Sequence, residues 1–294
     1  MAQQDLASYN HQVSDIFKKA VNESDYAPFS LSKEQIEHFE KYGYVSDIKI
    51  LDEEQVDILR AELDQIREPN HPGRELFYEY HGNQSTDPNT VLFHSLGHWR
   101  ITPGFHDALW NPAFVKPASQ LLGDKAIRMW HDQLFCKPAN HGGVVAWHQD
   151  YSYWIRTVPM QHLTCWIALD DADTENGCLN YVPGSHRWGL LNRLELGGEM
   201  DAIFEQLTDE QREQIKPEPM VLKKGHACFH HPLMLHGSFE NKSQRSRRAM
   251  VLNVFADGTM SNTDETMLRG TDIKISKGQP LNNRYFPLLY KGTK

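Results

Sequence analysis

Apolar positions along the chain recur with two different periods. In residues 52–67, "DEEQVDILRAELDQIR", Val56, Leu59, Leu63 and Ile66 fall at spacings of 3, 4 and 3, one face of a helix. Asp52 stands ready as its N-cap, with Gln55 three positions on to complete a capping box. The stretch "SKEQIEHFEKYG", residues 32–43, repeats the device with Ser32 and Gln35 and stops at Gly43. A third helix is expected in "NPAFVKPASQLLG", residues 111–123, capped by Asn111, opened by Pro112, bent at Pro117 and ended by Gly123. Residues 30–123 therefore read as mostly helical.

From about residue 126 the period shortens. Runs rich in β-branched and aromatic residues appear at "VVAW" (144), "HLTCWIALD" (162), "CLNYV" (178), "HACFH" (226) and "RAMVLNVFA" (248). Turn clusters such as "DTENG" and "VPGSH" separate them, and one helix is expected near "EMDAIFEQLTDEQREQI" at 199. Short strands with few helices predict a mainly β fold, a sandwich or jelly roll with the N-terminal helices packed outside. No repeat or linker divides the chain, so residues 1–294 are expected to form one domain with its β core at about 126–256.

Composition narrows the partners. Thirty Lys and Arg against 39 Asp and Glu leave a charge of -9, and no basic tract follows a phosphate backbone, which argues against nucleic acid. The opening "MAQQDLASYNHQVSDIFKK" has no apolar leader core, and no stretch reaches the ~18 apolar residues of a membrane span, so a soluble, cytoplasmic protein is expected. Cys136, Cys165, Cys178 and Cys228 contain no C-x-x-C pair and read as buried, reduced thiols. Nothing in the composition specifies an oligomeric state.

The chemistry concentrates in "VVAWHQDYSYW", residues 144–154. In an extended segment His148 and Asp150 point the same way and Gln149 points opposite. An H-x-D pair supplies two thirds of a facial triad, in which two imidazoles and a carboxylate hold Fe(II) and leave three positions open. The second imidazole is sought in "HACFHHPLMLHGSFENKSQRSRRAMVLNVFA", residues 226–256. His230, His231 and His236 compete for the role, and His236 is preferred because Gly237 and Ser238 leave room beside a metal. If the two apolar runs of this stretch pair as a hairpin, His236 comes close to Arg247, whose planar fork suits the far carboxylate of a dicarboxylate bound to the metal.

"HQD", "ENGCLNYVPGSH" and "HGSFENKSQRSRR" together resemble the phytanoyl-CoA dioxygenase family of Fe(II)/2-oxoglutarate oxygenases, which includes the ectoine hydroxylases. The likeness runs over roughly residues 35–290. It implies a double-stranded β-helix, with metal ligands at His148, Asp150 and His236 and the cosubstrate arginine at Arg247. It also implies cosubstrate contacts at Gln149, Trp166, Ser238 and Gln133, the last standing four residues before Lys137 and Pro138. The ectoine-hydroxylase branch sets a tryptophan beside the substrate six positions after the first metal histidine, which falls on Trp154 here. His186 reads as a turn residue or an entrance residue, and the tail at 277–290 resembles family C-termini that pack back on the domain.

The implied chemistry uses Fe(II), 2-oxoglutarate and O2 to hydroxylate a small molecule, releasing succinate and CO2. Three rivals remain. A halogenase needs its carboxylate ligand replaced by a small residue, against which Asp150 stands. A zinc hydrolase with the same ligands leaves Arg247 unexplained. A non-catalytic metal- or ligand-binding jelly roll would keep the barrel without turnover.

Overall fold

The helical signals are met where caps and periodicity agree. In the computed structural model, which describes residues 3–68, 70–82, 92–140, 143–268 and 271–294, the helix Lys33–Tyr42 starts on a Ser32/Gln35 capping box and ends at Gly43 with φ 84°. The helix Glu53–Arg67 starts on Asp52 and Gln55 and buries Val56, Leu59, Leu63 and Ile66. Pro112–Leu121 begins after Asn111 and carries Pro117 within it. The helix expected near 199 is shorter than its pattern: a 3-10 turn spans Ala202–Gln206, and a single helical turn, Asp209–Glu213, follows a Thr208 cap.

Residues 30–123 are less helical than expected, because they also hold β1 (Tyr44–Lys49), β2 (Glu79–His81) and β3 (Phe93–Leu96). The other strands are β4 (Ile127–Lys137), β5 (Val145–His148), β6 (Thr157–Val158), β7 (His162–Ala168), β8 (Leu179–Tyr181) and β9 (Glu218–Pro219). They continue with β10 (His226–His230), β11 (His236–Ser238), β12 (Arg247–Ala256), β13 (Met260–Ser261) and β14 (Leu288–Tyr290). Among the described residues the major sheet runs β1-β10-β7-β12-β4-β3-β2, with β14 also on β4, and the minor sheet runs β5-β11-β8-β9. All pairings are antiparallel. This is the expected double-stranded β-helix, closed by the C-terminal tail as β14.

The hairpin expected between 226–236 and 247–256 does not form. β10 lies between β1 and β7, β12 lies between β4 and β7, and His236 sits in the minor sheet. The link "GSFENKSQRS" thus crosses from one sheet to the other. His236 and Arg247 meet across the space between the sheets instead.

Strand parity decides what that space contains. On β7, Leu163, Cys165 and Ile167 face the helices in one core cluster, while Trp166 and Ala168 face the minor sheet in another. Both faces are buried, which is why this strand reads as a continuous apolar run rather than an alternating one. The four cysteines are free and buried, as expected. No helix of the described residues is long and apolar enough to cross a membrane.

Candidate active site

His148 ends β5, His236 begins β11, and the two are cross-strand partners with ring centroids 4.1 Å apart. Each ring is oriented by the backbone two residues behind it: Nδ1 of His148 lies 2.7 Å from Ala146 O, and Nδ1 of His236 2.9 Å from Met234 O. A carbonyl can only accept, so each Nδ1 carries the proton and each Nε2 presents a lone pair. Asp150 follows, with Oδ1 at 3.6 Å from His148 Nε2 and 3.7 Å from His236 Nε2. One ligand atom from each of the three lies within 4.8 Å of the others.

The electrostatics suit metal donors. Burial alone would raise the Asp150 carboxyl, but His236, His148 and His230 outweigh it and hold the group well below the carboxylate range. Burial, followed by the neighbouring His148 and His230, holds His236 well below the imidazole range. Ionised carboxylate and unprotonated imidazole are the forms that bind a cation. A two-nitrogen, one-oxygen set on one side of an open cavity fits Fe(II). The described residues hold a second grouping, Glu79, His81 and His94. There His81 meets Glu79 at 3.4 Å and His94 meets Gln133 at 3.3 Å, and no backbone carbonyl of the described residues orients either ring.

Across the cavity stands Arg247, 1% exposed. Its Nη2 donates to Gly177 O at 2.8 Å, while its Nε has no partner. No carboxylate of the described residues lies within 4.0 Å of it. Burial pulls the guanidinium down to about 10, so it stays charged at neutral pH. Beside it on β4, Lys137 is wholly buried and donates to Ser238 Oγ at 2.8 Å and to the carbonyl oxygen of Phe239. A buried guanidinium without an anion calls for one.

The residues implied by resemblance divide. Arg247 stacks over Trp166 at 5.4 Å, and Trp166, Gln133 and Ser238 all line the cavity with the triad. Gln149 does not. Its amide donates to Gly189 O at 2.9 Å and Leu233 O at 3.0 Å, accepts from Leu191 N at 2.8 Å, and is fully buried. It pins two loops, and the expectation of a cosubstrate contact there is corrected by this saturation. His186 lies in the turn Ser185–Arg187 and packs on His231, outside the cavity lining.

The extended geometry assumed for 148–154 also ends early, because Asp150–Tyr153 form a 3-10 turn. Trp154 nevertheless returns to the wall, its ring 5.5 Å from those of both His131 and His162. The cavity measures about 1180 Å³, and Trp130, Tyr153, Met267 and Leu268 add apolar wall. His94 and His131 also face it, and burial lowers them to about 3 and 4, making them neutral hydrogen-bonding groups.

Thr164, which the sequence did not single out, and His230, read there only as a rival ligand, complete the site. Thr164 Oγ1 at 2.6 Å and His230 Nε2 at 2.9 Å both meet Asp150 Oδ2. They are cross-strand partners on β7 and β10. Stepping back two residues from Trp166 would have pointed to Thr164; His230 needed the register.

A β-helix with two histidines and a carboxylate facing a buried arginine across one cavity defines a class, the 2-oxoglutarate-dependent dioxygenases. The family model "Phytanoyl-CoA dioxygenase (PhyH)" matches residues 39–249, and the chain belongs to that family. It is 28% identical to a phytanoyl-CoA dioxygenase of Arabidopsis thaliana over 257 residues, covering 76% of this chain and 89% of the relative. It is also 28% identical to the methylphosphonate hydroxylase of Gimesia maris, covering 79% of this chain and 84% of that protein. Among solved structures, the fold matches the non-heme alpha ketoglutarate dependent carbocyclase SnoK from nogalamycin biosynthesis, with TM-score 0.70 and 22% identity over 88% of this chain and 96% of that one. It also matches EctD from S. alaskensis, with TM-score 0.64 and 20% identity over 84% of this chain and 82% of that one.

Proposed function

We propose that the protein is an Fe(II)- and 2-oxoglutarate-dependent hydroxylase of a small organic substrate, yielding succinate and CO2. The observation that carries this reading is the uncompensated Arg247 sharing one cavity with His148, Asp150 and His236. A zinc hydrolase with the same ligands leaves Arg247 unexplained. The overall balance is substrate C–H, 2-oxoglutarate and O2 giving substrate C–OH, succinate and CO2.

Iron, when bound, supplies O2 activation and removal of the substrate hydrogen. The chain supplies placement. His148, Asp150 and His236 hold the metal from one side, and Arg247 receives the far carboxylate of 2-oxoglutarate through its fork. Ser238 and Gln133 offer neutral hydrogen bonds along the cosubstrate, and the Trp166 ring closes one side. Trp154 and Trp130 give the substrate rigid apolar faces and keep water from the reacting centre. Hydroxylation is the activity named for the Gimesia maris relative.

The test is O2 uptake and succinate release with Fe(II), 2-oxoglutarate and a panel of candidate substrates. Substrate-stimulated O2 uptake, with hydroxylated product equal to succinate, is the expected result. O2 uptake that needs no 2-oxoglutarate would refute the reading.

A further inference from the structure

We infer that His230, together with Thr164, holds Asp150 as a ligand through one oxygen only and so keeps open a coordination position that the reaction needs. The inference rests on the iron site proposed above. A carboxylate can bind a cation through one oxygen or two. A facial triad leaves three positions free only if its carboxylate uses one. Chelation by 2-oxoglutarate takes two of the three and O2 needs the last, so a second Asp150 oxygen on the metal would block turnover.

The two oxygens of Asp150 stand in different surroundings. Oδ1 faces both metal histidines, at 3.6 and 3.7 Å from their Nε2 atoms. Oδ2 accepts from Thr164 Oγ1 at 2.6 Å and from His230 Nε2 at 2.9 Å. Both donors are buried, His230 at 1% and Thr164 at 3% exposure. Two donors on Oδ2 occupy the lone pairs that a bidentate contact would need.

The bond to Asp150 has one direction and support behind it. A carboxylate only accepts, so His230 Nε2 donates to Asp150 Oδ2. Nδ1 of His230 lies 2.8 Å from the Tyr181 hydroxyl, which in turn lies 2.9 Å from Cys228 Sγ. Cys228 and His230 stand two apart on β10, on one face, and β8 brings Tyr181 in from the minor sheet. The hydrogen-bonded chain Cys228, Tyr181, His230 thus leads to Asp150 and links the two sheets beside it. His230 is a positioning residue: it acts through Asp150.

The test is anaerobic calorimetry of Fe(II) binding without cosubstrate, on wild type, His230→Phe, His230→Gln, Thr164→Val and Asp150→Ala, with the visible ligand-field spectrum of each Co(II) form. Wild type is expected to bind one Fe(II) and Asp150→Ala to lose it. His230→Phe should bind about 10- to 100-fold more weakly with an altered Co(II) spectrum, the scale at which outer hydrogen bonds tune metal sites. His230→Gln keeps an N–H donor and should recover most of the affinity and the wild-type spectrum. Thr164→Val, a smaller change, should weaken binding in the same direction, and it decides the matter if His230→Phe does not fold. Wild-type affinity and spectrum in His230→Phe or in Thr164→Val, or equal loss in the Gln and Phe variants, would overturn the inference while leaving the iron site intact. Failure of wild type to take up Fe(II) would overturn both.

Discussion

Arg247 is the residue on which the functional reading turns. Its partnerless Nε and single backbone bond mean that a bound dicarboxylate completes a charge-assisted pair in a dry setting. Removing the fork in Arg247→Ala should cost roughly 2 to 5 kcal/mol, about 30-fold to several thousand-fold in 2-oxoglutarate affinity. Titration of 2-oxoglutarate into the Fe(II)-loaded variant checks this, and an affinity within about threefold of wild type would assign the anchor elsewhere. Arg247 was legible through the family resemblance and its chemistry, while the hairpin that also pointed to it does not form. His230 was legible only as a rival ligand, because a lone histidine in an apolar run does not reveal which carboxylate lies opposite. A second residue carries a pH signature. Asp132 is wholly buried, accepts from the backbone N–H of Gly97 at 2.6 Å and Trp99 at 2.7 Å, and is raised by burial from 3.8 to about 7. The folded state therefore holds this proton more tightly than the unfolded chain, and its contribution to stability is full below about pH 4 and falls away as pH rises to about 7. The difference in Tm between wild type and Asp132→Asn should shift against wild type across that window. A constant difference from pH 4 to 8 would show that Asp132 is ionised in the fold.

At the scale of elements, caps and apolar periodicity placed the helices Lys33–Tyr42, Glu53–Arg67 and Pro112–Leu121 to within a residue or two, since both signals are local. Strand pairing was less legible. The eleven residues of β4 were passed over because His131, Asp132 and Gln133 interrupt their apolar pattern, and these polar residues line the cavity or support its wall. The expected hairpin failed because the link after His236 crosses between sheets, a long-range outcome that turn residues alone do not determine. Lys137 secures that crossing, its Nζ reaching from β4 to Ser238 and Phe239. Lys137→Met would leave those acceptors without a donor in a dry interior. A loss of about 2 to 4 kcal/mol, read as a lower midpoint in urea, is expected together with weaker 2-oxoglutarate binding. An unchanged midpoint would mean the crossing holds without it. The 3-10 turn after β5 carries Trp154 back to the cavity wall. Trp154→Ala should leave iron and cosubstrate binding near wild type but release succinate in excess over hydroxylated product, through loss of about 0.5 to 2 kcal/mol of substrate contact. A variant that instead loses cosubstrate binding would place Trp154 in the supporting core.

For the molecule as a whole, the two sheets divide the labour: the minor sheet carries both metal histidines, the major sheet carries Arg247, Trp166, Gln133 and the residues that hold Asp150, and the cavity is the space between them. Each half of the site is set by strand parity, and the halves meet only when the β-helix closes. This is why motifs could offer the triad and the arginine as candidates while the route that brings them together stayed hidden in the sequence. The account joins metal, cosubstrate and oxygen chemistry in one place, so the most direct test is succinate formation from 2-oxoglutarate under air with Fe(II), comparing wild type with Asp150→Ala. Even without the native substrate, wild type should form succinate slowly, only with Fe(II), 2-oxoglutarate and O2 all present, and Asp150→Ala should form none above the protein-free rate. Equal succinate from both proteins, or none from a wild type that binds Fe(II) and 2-oxoglutarate, would contradict it.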